Sequence, residues 1–235
     1  MAAGALAGAD DLLSRPIVLV VALAVVSLLP IAFMTMTAFV KIATVLQIVR
    51  SAIGAQSVPS GTIIMALAAA LTLVAMAPVG DKIAARAAPL LASKESDTVA
   101  WVRGGIEAVR EPLREFLKAN ASETERERFF DVARRARRQP GQSGQAGQAA
   151  GEVSADDLTV LLPAFVVTEL GEAFALGFLL YLPFLVIDLV VSNLLLALGM
   201  QMMTPTQVSL PFKLLLFVAI DGWGLLARSL VEGYR

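Results

Sequence analysis

The 235-residue chain contains no cysteine and no histidine. The first absence excludes disulfides, thiol chemistry and thiolate metal sites. With histidine also missing, the usual catalytic bases, nucleophiles and zinc ligands are gone, and no metal or cofactor is expected. An excess of one charge sign is lacking too. Nineteen basic residues face 20 acidic ones, for a net charge of −1, and no basic stripe argues for nucleic acid. No G-x-x-x-x-G-K-[ST] loop occurs, so energy must come from partners, and the chain is not expected to be an enzyme. Charged residues make up 17% of the sequence, against about 25% in soluble domains.

Apolar sequence fills the space. Hydrophobic residues reach 57% and the mean hydropathy is +0.74. No charge falls between Arg15 and Lys41, Arg50 and Asp81, Glu172 and Asp188, or Asp188 and Lys213. A membrane span needs roughly 20 predominantly apolar residues. Lipid also demands that each backbone polar group be satisfied internally, which selects helices. The expectation is an all-α, multi-pass integral membrane protein.

Punctuation divides the chain into five parts. Residues 1–15 are small and flexible, and their acidic character argues against a signal peptide. Residues 16–80 form a first helical hairpin. Its first helix runs from Pro16 to about Phe39, kinked near Leu29 by Pro30, with an amphipathic continuation through Ile53. Gly54 and Val58-Pro59-Ser60-Gly61 turn the chain into a second helix, Thr62 to Pro78. The bend carries Lys41 and Arg50, which places it on the cytoplasmic side and residue 81 onward outside.

Residues 81–138 form a polar helical insert. Thr98 to Ala119 is an amphipathic helix with Trp101, Ile106, Val109, Leu113, Phe116 and Leu117 near one face. Ser122-Glu123-Thr124-Glu125 is a capping box opening a helix with Phe129, Phe130 and Val132. Its basic end, Arg134 to Arg138, is read as a solvated helix terminus in preference to a lipid-binding patch. Residues 139–153 are low-complexity linker. Residues 154–235 form a second hairpin, capped at Ser154 to Asp157, kinked at Pro183 and turning at Met200 to Pro205.

Ionisable residues inside such helices are functional candidates. Glu169 and Glu172, three apart on one face, suit either a proton relay or acid/base pair, or interhelical ion pairing in an oligomer, and the structural role is preferred. Asp221-Gly222 invites comparison with intramembrane aspartyl proteases, but neither the Gly-x-Gly-Asp nor the Tyr-Asp pattern is present. Lys213 and Asp221, eight apart, are expected on one helix face. Antiparallel pairing about the turn brings Asp188 and Lys213 to matching depth and predicts a bridge that acts in assembly. Met200, Met202 and Met203 crowd one turn between apolar arms, which favours pore lining over the gap-filling role of core methionine.

Long stretches then resemble a known family. Residues 163–226, from PAFVVTELGEAF through LGMQMMTPTQVSLPFKLLLFVAIDGWGLL, are similar to the SctR/FliP family of type III secretion export-apparatus proteins. So are residues 36–80 and 111–130, with Glu172-Ala-Phe and Val191-Ser-Asn leaning toward the injectisome SctR branch. The resemblance implies a pentamer assembling with SctS, SctT, SctU and SctV at the base of the secretion machine in the bacterial inner membrane. It further implies hairpins stacked into an oligomeric funnel partly raised from the bilayer. Unfolded secreted polypeptides would be the cargo, and Met200, Met202 and Met203 a gasket around the pore. The competing reading is a proton-coupled or small-solute transporter using Glu169, Glu172 and Asp188.

Overall fold

A computed structural model describes residues 20, 23–24, 26–54, 59–92, 98–138, 154–200 and 202–234. The expected flexible N-terminus, the linker at 139–153, part of the turn around Val58 and the Trp101 side chain lie outside the described residues. Among those described, all regular structure is helical. In chain order the helices are α1 (Val26–Met36), α2 (Phe39–Ile53), α3 (Gly61–Ala75), α4 (Ala77–Ala92) and α5 (Thr98–Asn120). They continue with α6 (Glu123–Arg138), α7 (Leu158–Ala197), α8 (Pro205–Ala219) and α9 (Gly222–Glu232).

Three of the expected long arms are bent pairs. The axes turn by 66° between α1 and α2, 56° between α3 and α4, and 58° between α8 and α9. The first bend is not where proline predicted it: α1 passes through Pro30, and the break falls at Thr37-Ala38. Thr37 supplies the reason. Its hydroxyl donates to the Phe33 carbonyl (2.5 Å) and accepts the Phe39 N–H (3.3 Å), so side-chain bonds replace the interrupted main-chain ladder. α4 carries the chain across position 81 without interruption and packs on α5.

α7 is different. Its 40 residues run unbroken through Pro163 and Pro183. At 1.5 Å per residue that is roughly 60 Å, about twice a hydrocarbon core. Its first turns pack on the insert. Leu161, Ala164 and Phe165 form one core with Phe116, Leu117 and Ala121, joined by Val79 of α4. Beyond that level α7 presents Phe174, Phe178, Leu179, Val186, Leu189 and Leu194 outward, which suits lipid or other chains far better than water. Among the described residues α7 alone is long and apolar enough to cross a membrane, and up to four crossings result if each bent pair counts as one span.

α2 is the axle of the second core. Ile42, Val45, Leu46, Val49 and Ile53 are buried against Ile64 and Ala68 of α3, Ala173 and Phe184 of α7, Phe217 of α8, and Leu226 and Leu230 of α9. Apolar residues nearly all round a helix require this central position. α2 and α7 approach closely at Gly177, where a Cβ would lie 2.5 Å from Ile48 Cδ1. Gly177→Ala is therefore expected to destabilise the protein by about 1–3 kcal/mol through overpacking, despite alanine's better helix propensity. Thermal unfolding in detergent measures it.

The insert is tied down at its corners. Ser122 Oγ accepts the Glu125 N–H (3.2 Å), but only half of the expected capping box forms. The Ser122 N–H donates instead to Thr168 Oγ1 of α7 (3.0 Å), while Glu125 pairs with Arg128. Lys118 bonds Asp156 at 2.7 Å and thereby holds that carboxyl below its usual range. Lys82 does the same for Glu115 at 3.0 Å. The expected apolar face of α5 is buried only toward its C-terminus, since Ile106 and Val109 remain exposed.

Candidate functional site: two buried ion-pair clusters and a methionine turn

The first cluster sits beside the α1–α2 break. Lys41 of α2 is 7% exposed. Its ammonium lies 3.1 Å from Glu169 Oε1 and 2.6 Å from Glu172 Oε2, both on α7. Glu169 is fully buried, and its Oε1 has the ionic contact with Lys41 without hydrogen-bond alignment. Tyr234, just past α9, closes the group. Its hydroxyl reaches Glu169 Oε2 and the Ala38 carbonyl (3.3 Å), and Lys41 Nζ lies 4.6 Å from its ring centroid. The ring also stacks on Phe116, so the C-terminus joins both cores.

This arrangement places the expected ion pairing of Glu169 and Glu172 in a single subunit. It also corrects the reading of Lys41, which is a buried counter-ion and not a loop charge. The cytoplasmic assignment of the first bend thus loses one of its two supports, because only charges flanking a span bias its orientation. The other basic residue, Arg50, donates to the Pro59 carbonyl across the α2–α3 connection (2.8 Å). Tyr234 was not singled out from the sequence, and Lys41 was read there only as a loop charge. The available signal was a lysine inside an apolar helix, which needs a carboxylate somewhere.

The second cluster holds the base of the α7–α8 hairpin. Lys213 of α8 is 3% exposed and reaches Asp188 Oδ2 at 2.6 Å. The bridge expected from matched depth is present, within one chain. Two further contacts complete it. Ser209 donates to Asp188 Oδ1 (2.6 Å), and Lys213 donates to the Ala52 carbonyl (3.1 Å) in the last turn of α2. A cation there answers the partial negative charge of a helix C-terminus.

Asp221 does not join Lys213. α8 ends at Ala219, so the two share no helix face. Asp221 adopts a left-handed conformation (φ 50°) at the α8–α9 break and is exposed. Gly222 follows because a Cβ there would fall 2.3 Å from the Phe217 ring.

The methionine turn is built by ordinary capping. Gly199 (φ 73°) donates to the Leu196 carbonyl and Met200 to the Leu195 carbonyl, the paired bonds of a Schellman end. Pro205 at the first turn of α8 restarts the helix after Thr204. Met200 and Met203 are 42% and 45% exposed, and Met202 is 99% exposed. Such thioethers are not filling gaps in this chain's core. Among the described residues no group of three or more His, Cys, Asp and Glu side chains is placed to hold a metal.

Buried ion pairs that pin a bare, apolar hairpin define the class: an all-helical protein with at least one apolar helix able to cross a membrane. Comparison with known proteins is more specific. The model of the FliP family matches residues 22–230, and the chain belongs to that family. It is 42% identical to the hypersensitivity response secretion protein HrcR of Ralstonia nicotianae, over 92% of this chain and 96% of the relative. Identity is also 42% to the Yop proteins translocation protein R of Yersinia pestis, over 92% and 95% of the two chains. The flagellar biosynthetic protein FliP of Rhizobium meliloti is 38% identical over 90% of this chain and 81% of its own length.

Proposed function

We propose that the chain is a pore-lining subunit of a type III export gate, passing unfolded polypeptide across the bacterial inner membrane. The single observation that carries the reading is the methionine turn. Three thioethers project from the tip of a rigid hairpin whose base is fixed by Lys213, Asp188 and Ser209. Several copies arranged about an axis, five on the family's pattern, bring these tips together. Partners of the SctS, SctT, SctU and SctV kinds complete the gate. A hydrophobic constriction stops ions by dewetting. Unbranched thioethers then yield to cargo side chains of any shape, as they do at promiscuous surfaces.

The transporter alternative has less support. Glu169 and Asp188 are each held by a lysine and by a hydroxyl and Glu172 by Lys41, so all three carboxylates are engaged in fixed ion pairs. The chain has a structural and conducting role in this reading, without catalysis. Replacing Met200, Met202 and Met203 together by alanine is expected to raise resting ion conductance of the assembled complex at least about tenfold while assembly persists, since shorter side chains no longer close a dewetted ring. Conductance of complexes reconstituted in planar bilayers measures it, and an unchanged value counts against the gasket.

A further inference from the structure

Two glycines interrupt the apolar middle of α7, and the fold explains only one. Glycine weakens a helix interior relative to alanine, so each position needs a reason. Gly177 has its reason in Ile48, against which a Cβ would collide. Gly171 has none inside the chain: it is exposed, and a Cβ there would meet nothing within 4 Å. Ala175, four residues on and so on the same face, is exposed as well. Small residues spaced in this way let helices in a membrane approach each other closely.

Between them stands Glu172. Its side chain is 55% exposed on a helix whose outward residues on that flank are Leu176 and Leu179. Lys41 contacts it at 2.6 Å, but that same ammonium also serves the fully buried Glu169. One cation shared by two carboxylates leaves the cluster one negative charge in surplus, facing outward among apolar side chains. Such a charge is costly in lipid and calls for a cation.

We propose that Gly171, Glu172 and Ala175 form a seat for an apolar helix of another chain, whose lysine or arginine side chain meets Glu172. The seat rests on the reading that the chain works as one subunit of an export assembly. Within that assembly it assigns a contact to the flank of α7, far along the chain from the methionine turn.

The test uses the full chain in its own bacterium, with p-benzoylphenylalanine placed at position 179, an exposed leucine seven residues on from Glu172 and so on its flank. A second strain carries the probe at position 202 as a control for assembly. The expected result is a protein adduct at 179 whose crosslinked peptide holds a lysine or arginine within two helical turns. Glu172→Lys should lower its yield at least about tenfold, because like charges placed together oppose docking. Changing the partner's basic residue to glutamate should restore it. Gly171→Leu guards against simple misfolding: it should abolish the adduct while the isolated chain stays as stable as the parent or becomes more so. An adduct to lipid only, a peptide without a basic residue, or a yield indifferent to both variants overturns the seat. Protein adducts at 202 with none at 179 also overturn it and leave the assembly reading standing. Absence of adducts at both positions removes the two together.

Discussion

Lys213→Ala is expected to prevent assembly outright, with a loss of stability of roughly 3–5 kcal/mol. The lysine is 3% exposed and makes two bonds at once, to Asp188 and to the Ala52 carbonyl. Its removal strands a carboxylate among apolar side chains and leaves the end of α2 without its cation. Ser209 still donates to Asp188, but one neutral hydrogen bond does not replace an ammonium. The double variant Asp188→Asn with Lys213→Met should recover much of the loss, since removing both charges of a buried pair is far milder than removing one. Thermal unfolding in detergent gives the first quantity, and native electrophoresis of the membrane complex gives the second. A complex of normal mass and yield that fails to secrete contradicts this account, because it moves Lys213 from assembly to gating.

Lys41→Met has the next largest expected effect. It leaves Glu169, which has no exposed surface, beside a second carboxylate with no cation between them. A loss at the upper end of the roughly 3–5 kcal/mol range is expected, and the α1–α2 bend should loosen with it. Limited proteolysis near residue 37 reads that loosening. Tyr234→Phe provides the contrast. It removes a hydroxyl but keeps the stacking on Phe116, so about 1–3 kcal/mol is expected from the bonds to Glu169 and Ala38. Equal damage from the two variants would show that Tyr234, not the ion pair, holds this corner.

The two clusters differed in how readable they were. Asp188 and Lys213 lie on arms joined by a short turn, so counting outward from Met202 was enough to pair them. Lys41 and Glu169 are far apart in sequence and sit on helices that advance in the same direction, as the contacts of Lys41 with Glu172 and of Ile48 with Gly177 show. No local count gives that pairing; it follows from the packing of α2 against α7. The helix breaks divide in a similar way. Asp221-Gly222 was a turn signal that the surrounding apolar run masked, and its cause is the Phe217 ring pressed on Gly222. Thr37 carries no such signal, because threonine breaks a helix only when its hydroxyl takes over backbone bonds. Proline misled at Pro30 and did not break α7 at Pro183, where the flanking helix runs on in both directions.

The methionine turn was legible for a simpler reason. Gly199 and Pro205 punctuate it, and nothing between two apolar arms requires sulfur there unless it touches something outside the chain. The most direct measurement is a photocrosslink from position 202 in complexes holding an export substrate stalled partway through. A covalent adduct between position 202 and the middle of the stalled polypeptide is the expected result. Adducts to lipid alone, with the same substrate still trapped, would put the turn outside the pathway and end the proposal.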